Sequence, residues 1–191
     1  MGVTPDVKMT KFILNKDSAA LVVVDIQEKL VPAMKKRQQV YDNCGHLIEL
    51  AKLIDLPIVL TEQYPKGLGP TVPEIKDVLP SYEPLEKTTF DCCKGEGFLD
   101  TIASLQKTHI ILTGMETHIC VLQTCLSLLN EGYFVHLVSD AVCSRKKQDF
   151  RTAVETMRDA GAVINCTETA LFQLLEKAGT PEFKAISKRI K

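Results

Sequence analysis

Along this chain, short apolar runs alternate with stretches whose hydrophobic positions recur at helical spacing. The first run, residues 19–25 (AALVVVD), is rich in β-branched residues and closes on a carboxylate, Asp25. Leu47, Leu50, Ala51 and Ile54 share one face of a helix predicted over 38–54, and Pro57 breaks it before a second strand at 57–61 (PIVLT). Further strands are predicted at 86–90, 109–113 (HIILT), 133–138 (YFVHLV) and 163–165. Helices are predicted at 98–105, 117–130 and 147–160, with two short ones near the C-terminus. Residues 62–84 read as one long irregular segment, rich in proline and glycine. In a compact domain a loop of that length usually has a task, such as lining a binding site.

Apolar strands alternating with helices imply a parallel sheet covered on both faces. The expectation is an α/β fold: a single domain over residues 1–191, three-layered, doubly wound and open, with about six strands. Ligands of such sheets bind beyond the carboxyl ends of the strands. Asp25 closes the first strand, Lys87 lies in or just after the third, and residues 114–120 follow the fourth.

Composition acts mainly by exclusion. Lys plus Arg (23) nearly balances Asp plus Glu (24) in 191 residues, so no global field draws the protein to nucleic acid or an anionic membrane. The four cations of residues 184–191 fit a solvated helix face. No apolar run approaches the roughly 18 residues of a membrane helix. The N-terminal residues lack a signal or transit pattern, and Asp6 stands where myristoylation prefers Ser or Thr. Seven cysteines without a C-x-x-C pair argue against structural zinc and for a reducing compartment, by default the cytosol.

Cys120 falls in GMETHICV, at the predicted first turn of a helix, where the helix dipole and free N–H groups favour a thiolate and an oxyanion. The same position suits a small buried cysteine packing helix on sheet. Asp25 is costly to bury unpaired; it reads either as a general base near a thiol or as a cap for the following turn. Lys87, in EKTTF, reads as a cation orienting that carboxylate or as a surface lysine. His118 lies two residues from Cys120, a spacing that turns the two side chains apart and disfavours a Cys–His dyad. Gly67-Leu-Gly69 lacks the third glycine of a dinucleotide fingerprint.

Asp25 in VVVDIQ, Lys87 in EKTTF and Cys120 in GMETHICV resemble the Asp–Lys–Cys triad of the isochorismatase-like hydrolases. The segment LTEQYPKGLGPTVPE resembles, more narrowly, the isochorismatase domain-containing proteins. The resemblance implies thiolate attack on an amide-like or related carbon–nitrogen bond through a covalent acyl intermediate, with Asp25 as base. It also implies a cis bond between Met115 and Glu116, and an oxyanion hole formed by the N–H groups of Glu116 and Cys120. Gln63, Tyr64 and Phe90 are candidate pocket residues, or else loop anchors.

Metal-binding members of the superfamily carry histidines after the second strand; TEQYPKG has none, and His46, His109, His118 and His136 lie elsewhere. No metal or cofactor is therefore expected. The expected partners are a small-molecule substrate and further copies of the chain, with neither nucleic acid nor membrane. Two other readings stay open: a silent binding or scaffold protein that keeps the fold, and a thiol redox sensor. The sensor reading requires a resolving cysteine, and Cys125, five residues along the helix, faces elsewhere.

Overall fold

The computed structural model describes residues 7–191. After a single turn, α1 (Val7–Thr10), come β1 (Ala19–Val24), α2 (Arg37–Leu53) and β2 (Ile58–Gln63). Two short helices, α3 (Pro65–Leu68) and α4 (Pro73–Lys76), lead to β3 (Leu85–Lys87) and α5 (Phe98–Ser104). Then follow β4 (His109–Met115), a π-turn (Thr117–Val121), α6 (Leu122–Asn130) and β5 (Phe134–Cys143). The chain ends with α7 (Lys147–Asp159), β6 (Val163–Asn165), α8 (Thr167–Leu175) and α9 (Pro181–Arg189).

All six strands are parallel, in the order β3-β2-β1-β4-β5-β6, and the sheet is open. This is the expected doubly wound architecture. Alternation along β1 builds both layers. Leu21 and Val23 pack with α2, α8 and α9, whereas Ala20, Val22 and Val24 pack with α5, α6 and α7. Because β1 and β4 are buried on both faces, they read as continuous apolar runs. The strand order reverses between them, so their carboxyl ends open the crevice where Asp25 and Glu116 emerge.

Three sequence-based boundaries move. Residues 62–84 are more ordered than their composition suggests: β2 runs on to Gln63, and Pro65 and Pro73 each open a helical turn, where proline's fixed φ suits the first position. The third strand is shorter and earlier than expected. The fifth continues five residues beyond Val138, because its polar residues are satisfied laterally. Ser139 Oγ donates to the Asn165 carbonyl at 2.9 Å, and Asp140 Oδ1 accepts from Thr167 N (2.7 Å) and Oγ1 (2.8 Å). Among the described residues, no helix is long and apolar enough to cross a membrane.

Gly114 sets the spacing at the crevice. It pairs with Val24 and has φ of 113°, and a Cβ there would be driven into the Val24 carbonyl. Gly114→Ala is expected to destabilise the fold by about 2 kcal/mol or more, measured as a lower urea midpoint.

At the opposite end of the sheet, His136 is fully buried, its ring 5.5 Å from that of His109, and its Nδ1 accepts from Asn165 Nδ2 at 3.0 Å. Burial, then the neighbouring His109, lowers its pKa to about 4 from 6.5, with the Lys11 backbone opposing. The unfolded chain binds this proton more readily, so the stability is complete above about pH 6.5 and is lost as pH falls through about 4. Chemical denaturation of wild type is expected to lose on the order of 3 kcal/mol between pH 7 and pH 4 from this group. His136→Phe should show a correspondingly smaller acid loss.

Candidate active site

Asp25 follows β1 in the left-handed region (φ 50°), a conformation aspartate tolerates better than most residues. Its side chain is fully buried, and both carboxylate oxygens are engaged. Thr61 Oγ1 donates to Oδ1 at 2.7 Å, and Lys87 Nζ donates to Oδ2 at 2.6 Å. The Asp25–Lys87 pair is buried, with side-chain exposures of 0% and 3%. Such a pair is stable only when its remaining hydrogen-bonding capacity is met. Here Lys87 Nζ also donates to Gln63 Oε1 (2.7 Å) and reaches the carbonyls of Thr89 (3.3 Å) and Phe90 (3.4 Å).

Cys120 completes the cluster from the other side of the crevice, its buried thiol near enough to feel the charges of both Asp25 and Lys87. It lies in the π-turn that precedes α6, rather than in the first turn of the α-helix. Burial, and then the Asp25 charge, push its pKa up, while Lys87 pulls the other way. The resting group is thus a thiol facing a carboxylate, where the helix-end position alone suggested a thiolate. Burial opposes the Lys87 charge, but the Asp25 charge acts against burial and the lysine's pKa is raised. Lys87 therefore remains an ammonium at neutral pH.

The Met115–Glu116 bond is cis, where the resemblance implied it. The Glu116 side chain turns away from the thiol, and its Oε2 accepts from Arg145 N and Nε, both at 3.1 Å. His118 likewise turns away: Nδ1 lies 2.9 Å from Ser144 Oγ and Nε2 lies 3.7 Å from Asp149. Neither nitrogen is paired with Cys120.

Of the candidate pocket residues, Gln63 is buried, and both ends of its amide are committed within the protein. Oε1 accepts from Lys87, and Nε2 donates to the Thr88 carbonyl at 2.8 Å. That geometry makes it a positioning group for the lysine. Tyr64 and Phe90 are each 54% exposed. Tyr64 lines a cleft of about 380 Å³ together with Lys87, Thr88, Thr89, Lys94 and Gly95. Phe90 meets the cluster through its carbonyl.

Sequence reasoning passed over several supports. Thr61 looks like any β-branched strand residue. Gln27 is fully buried, accepts from Gln63 N (2.8 Å), and donates to the carbonyls of Gln63 (3.0 Å) and Gly69 (2.7 Å). Glu62 Oε1 accepts from Thr71 N (2.6 Å), Thr71 Oγ1 (2.7 Å) and the Tyr82 hydroxyl, fastening the proline-rich segment to the end of β2. The signal for Gln27 was a polar residue two positions after Asp25, beside an otherwise apolar strand.

Residues 19–169 match the isochorismatase domain model. The chain is 40% identical over 176 residues to isochorismatase domain-containing protein 2A of Mus musculus, covering 92% of this chain and 84% of that one. A structure described as the MAR1 ribonuclease of Caenorhabditis elegans superposes with TM-score 0.87 and 38% identity, over 93% of this chain and 92% of the other. YcaC from Pseudomonas aeruginosa, determined with hexane-2,5-diol and covalent acrylamide, also gives TM-score 0.87, with 27% identity and coverages of 93% and 91%. YcaC from Escherichia coli, described as an octameric hydrolase of unknown specificity, gives TM-score 0.87, 25% identity and coverages of 98% and 92%. With a family match across most of its length and a relative of 40% identity, the chain belongs to the isochorismatase domain family.

Proposed function

We propose that this protein is a cysteine hydrolase acting on a small-molecule amide or related acyl carbon–nitrogen compound, with Asp25, Lys87 and Cys120 as its catalytic triad. The observation that carries the reading is a buried thiol, Cys120, set beside the charge of a carboxylate held on both oxygens, by Lys87 and Thr61. A base fixed in that way is poised to exchange a proton with the neighbouring sulfur.

Asp25 takes the thiol proton as sulfur attacks the substrate carbonyl. The oxyanion is received by the backbone N–H groups of Glu116 and Cys120. Asp25 then returns the proton to the departing nitrogen as the C–N bond breaks, leaving a thioester on Cys120. Water, deprotonated by Asp25, attacks the thioester; the carboxylic acid leaves and the thiol is restored. Lys87 keeps the carboxylate oriented and offsets its charge throughout. Tyr64 and Phe90 serve as aromatic walls at the mouth, and Gln63 acts through Lys87.

The covalent acrylamide in the Pseudomonas YcaC structure supports a reactive nucleophile in this family. The octameric Escherichia coli relative supports a homo-oligomer. Seven unpaired cysteines suit a cytoplasmic setting. Residues 1–191 act in this reading as one domain.

The test is alkylation of each cysteine by iodoacetamide against pH, read by mass spectrometry, beside a screen of amides and acyl derivatives. Cys120 should be labelled faster than the buried Cys44. The Asp25 charge raises the thiol's pKa, so Asp25→Asn should shift Cys120 labelling to lower pH. The same variant should reduce turnover about 100-fold or more, because the proton shuttle is gone. Cys120→Ala should abolish turnover. A Cys120 no more reactive than Cys44, with a profile indifferent to Asp25→Asn, would leave the silent scaffold as the better account.

A further inference from the structure

The proposed hydrolysis uses one thiol, yet a second one lies at the same buried charges. Cys92 stands in a 3₁₀ turn (Cys92–Lys94) just after β3 and is fully buried. Its Sγ is 3.8 Å from Thr61 Oγ1, the hydroxyl that itself donates to Asp25. Two hydrogen-bond lengths therefore separate this sulfur from the carboxylate whose charge also acts on Cys120. The backbone is fixed from the opposite direction. Cys92 N donates to Thr124 Oγ1 at 3.0 Å, and Thr124 lies four residues after Cys120, one helical turn along. The turn is further pinned by Asp91, whose Oδ1 accepts from Cys93 N (3.0 Å) and whose Oδ2 accepts from Ser127 Oγ (2.7 Å).

The other cysteines are placed differently. Cys125 packs in the same apolar layer but feels burial alone, with no charged neighbour acting on it. Cys44 and Cys143 lie on the other face of the sheet. Cys93 faces Asp91 and Glu131, and Cys166 is exposed. Burial pushes the Cys92 thiol up, and with Lys87 pulling it back and Asp25 adding to the rise it stands at about 11; the same two charges act on Cys120. Of the cysteines whose pKa is shifted, only Cys92 and Cys120 feel both Lys87 and Asp25.

We infer that Cys92 is a resolving cysteine for Cys120, making this centre a site of reversible peroxide modification in which the two thiols close to a disulfide. A hydroperoxide delivers one oxygen to the Cys120 thiolate, and the O–O bond breaks to leave Cys120 sulfenic acid and an alcohol or water. The Cys92 thiolate, its proton taken by Asp25, then attacks the sulfenic sulfur. The S–S bond forms, and hydroxide leaves with that proton as water. A dithiol reductant restores both thiols by exchange. Only Cys120 need meet the oxidant, which suits a Cys92 with no exposure. The reactive sulfur is thereby kept from the irreversible sulfinic state. The inference shares with the hydrolase reading a reactive Cys120, but not the hydrolysis itself.

The test treats the full-length reduced protein with hydrogen peroxide and maps its peptides without reduction. Wild type should lose two hydrogens and yield a Cys92–Cys120 cross-linked peptide that dithiothreitol releases, recovering Cys120 labelling by iodoacetamide. Cys92→Ser, given the same dose, should gain two oxygens at Cys120 and recover at least about 10-fold less labelling after dithiothreitol. If wild type gains those oxygens as fast as Cys92→Ser, or if Cys120 links to another cysteine, the inference is overturned. Cys92→Ala replaces the serine variant if thermal melts show the latter unfolded, and the wild-type map decides in either case. Labelling and turnover of the reduced protein read the hydrolase proposal separately. A reduced Cys120 that labels and turns over but never links to Cys92 sinks this inference alone. A Cys92–Cys120 link without turnover on any amide sinks only the hydrolase.

Discussion

A lysine ammonium and an aspartate carboxylate, 2.6 Å apart and sealed from solvent, organise the carboxyl end of this sheet. Removing two charges from water costs several kcal/mol per ion unless hydrogen bonds replace the lost hydration. The surroundings are arranged to supply them. Thr61 serves the carboxylate, Gln63 and two backbone carbonyls serve the ammonium, and Gln27 holds the Gln63 backbone in turn. Each of these groups comes from β2 or from the chain just beyond β1 or β3. The three neighbouring strand ends are thus bound by one polar network, and the long segment after β2 is tied to it through Glu62 and Thr71. The network is a structural commitment whatever reaction it supports.

That commitment explains why the cysteine is held as a thiol. Were Lys87 the dominant neighbour, Cys120 would ionise readily. Instead burial, and then the Asp25 charge, outweigh the lysine, so the sulfur keeps its proton. In the proposed reaction nucleophilicity is generated on demand, by proton transfer to Asp25, and is not stored as a standing thiolate open to every electrophile. Proton transfer of this kind tolerates little error in distance. The backbone at the crevice is built to match, with Gly114 letting β4 press against Val24 immediately before Asp25 turns into the left-handed region.

The sheet was legible in the sequence because parallel strands buried on both faces leave an unbroken apolar signature, as in ALVVV and HIILT. Asp25 was legible for the converse reason, a carboxylate where apolar residues belong. Cys120 and Lys87 were weaker signals, and the resemblance joined them to Asp25 before any distance was known. Other features lay beyond such reading. The length of β5 depends on Ser139 and Asp140 finding partners in β6 and α8, and those partners are known only once the sheet is assembled. Thr61 resembles any strand threonine until its hydroxyl meets Asp25. The commitment of Gln63 to Lys87 and Thr88 was equally hidden, since a loop glutamine reads as freely available.

Cys92 shows the limit most sharply. In sequence it is half of a vicinal pair and 28 residues from Cys120, and the nearer Cys125 invites attention as a possible partner. Spacing along a helix, however, measures only neighbours on that helix. The second thiol arrives from a different element, carried in by the turn after β3 and anchored on Thr124. The residues leading into that turn supply Lys87 with the carbonyls of Thr89 and Phe90. The path that satisfies the buried ammonium therefore also brings Cys92 to the carboxylate. Two thiols beside one buried ion pair follow from the way the chain solves the problem of burying a charge.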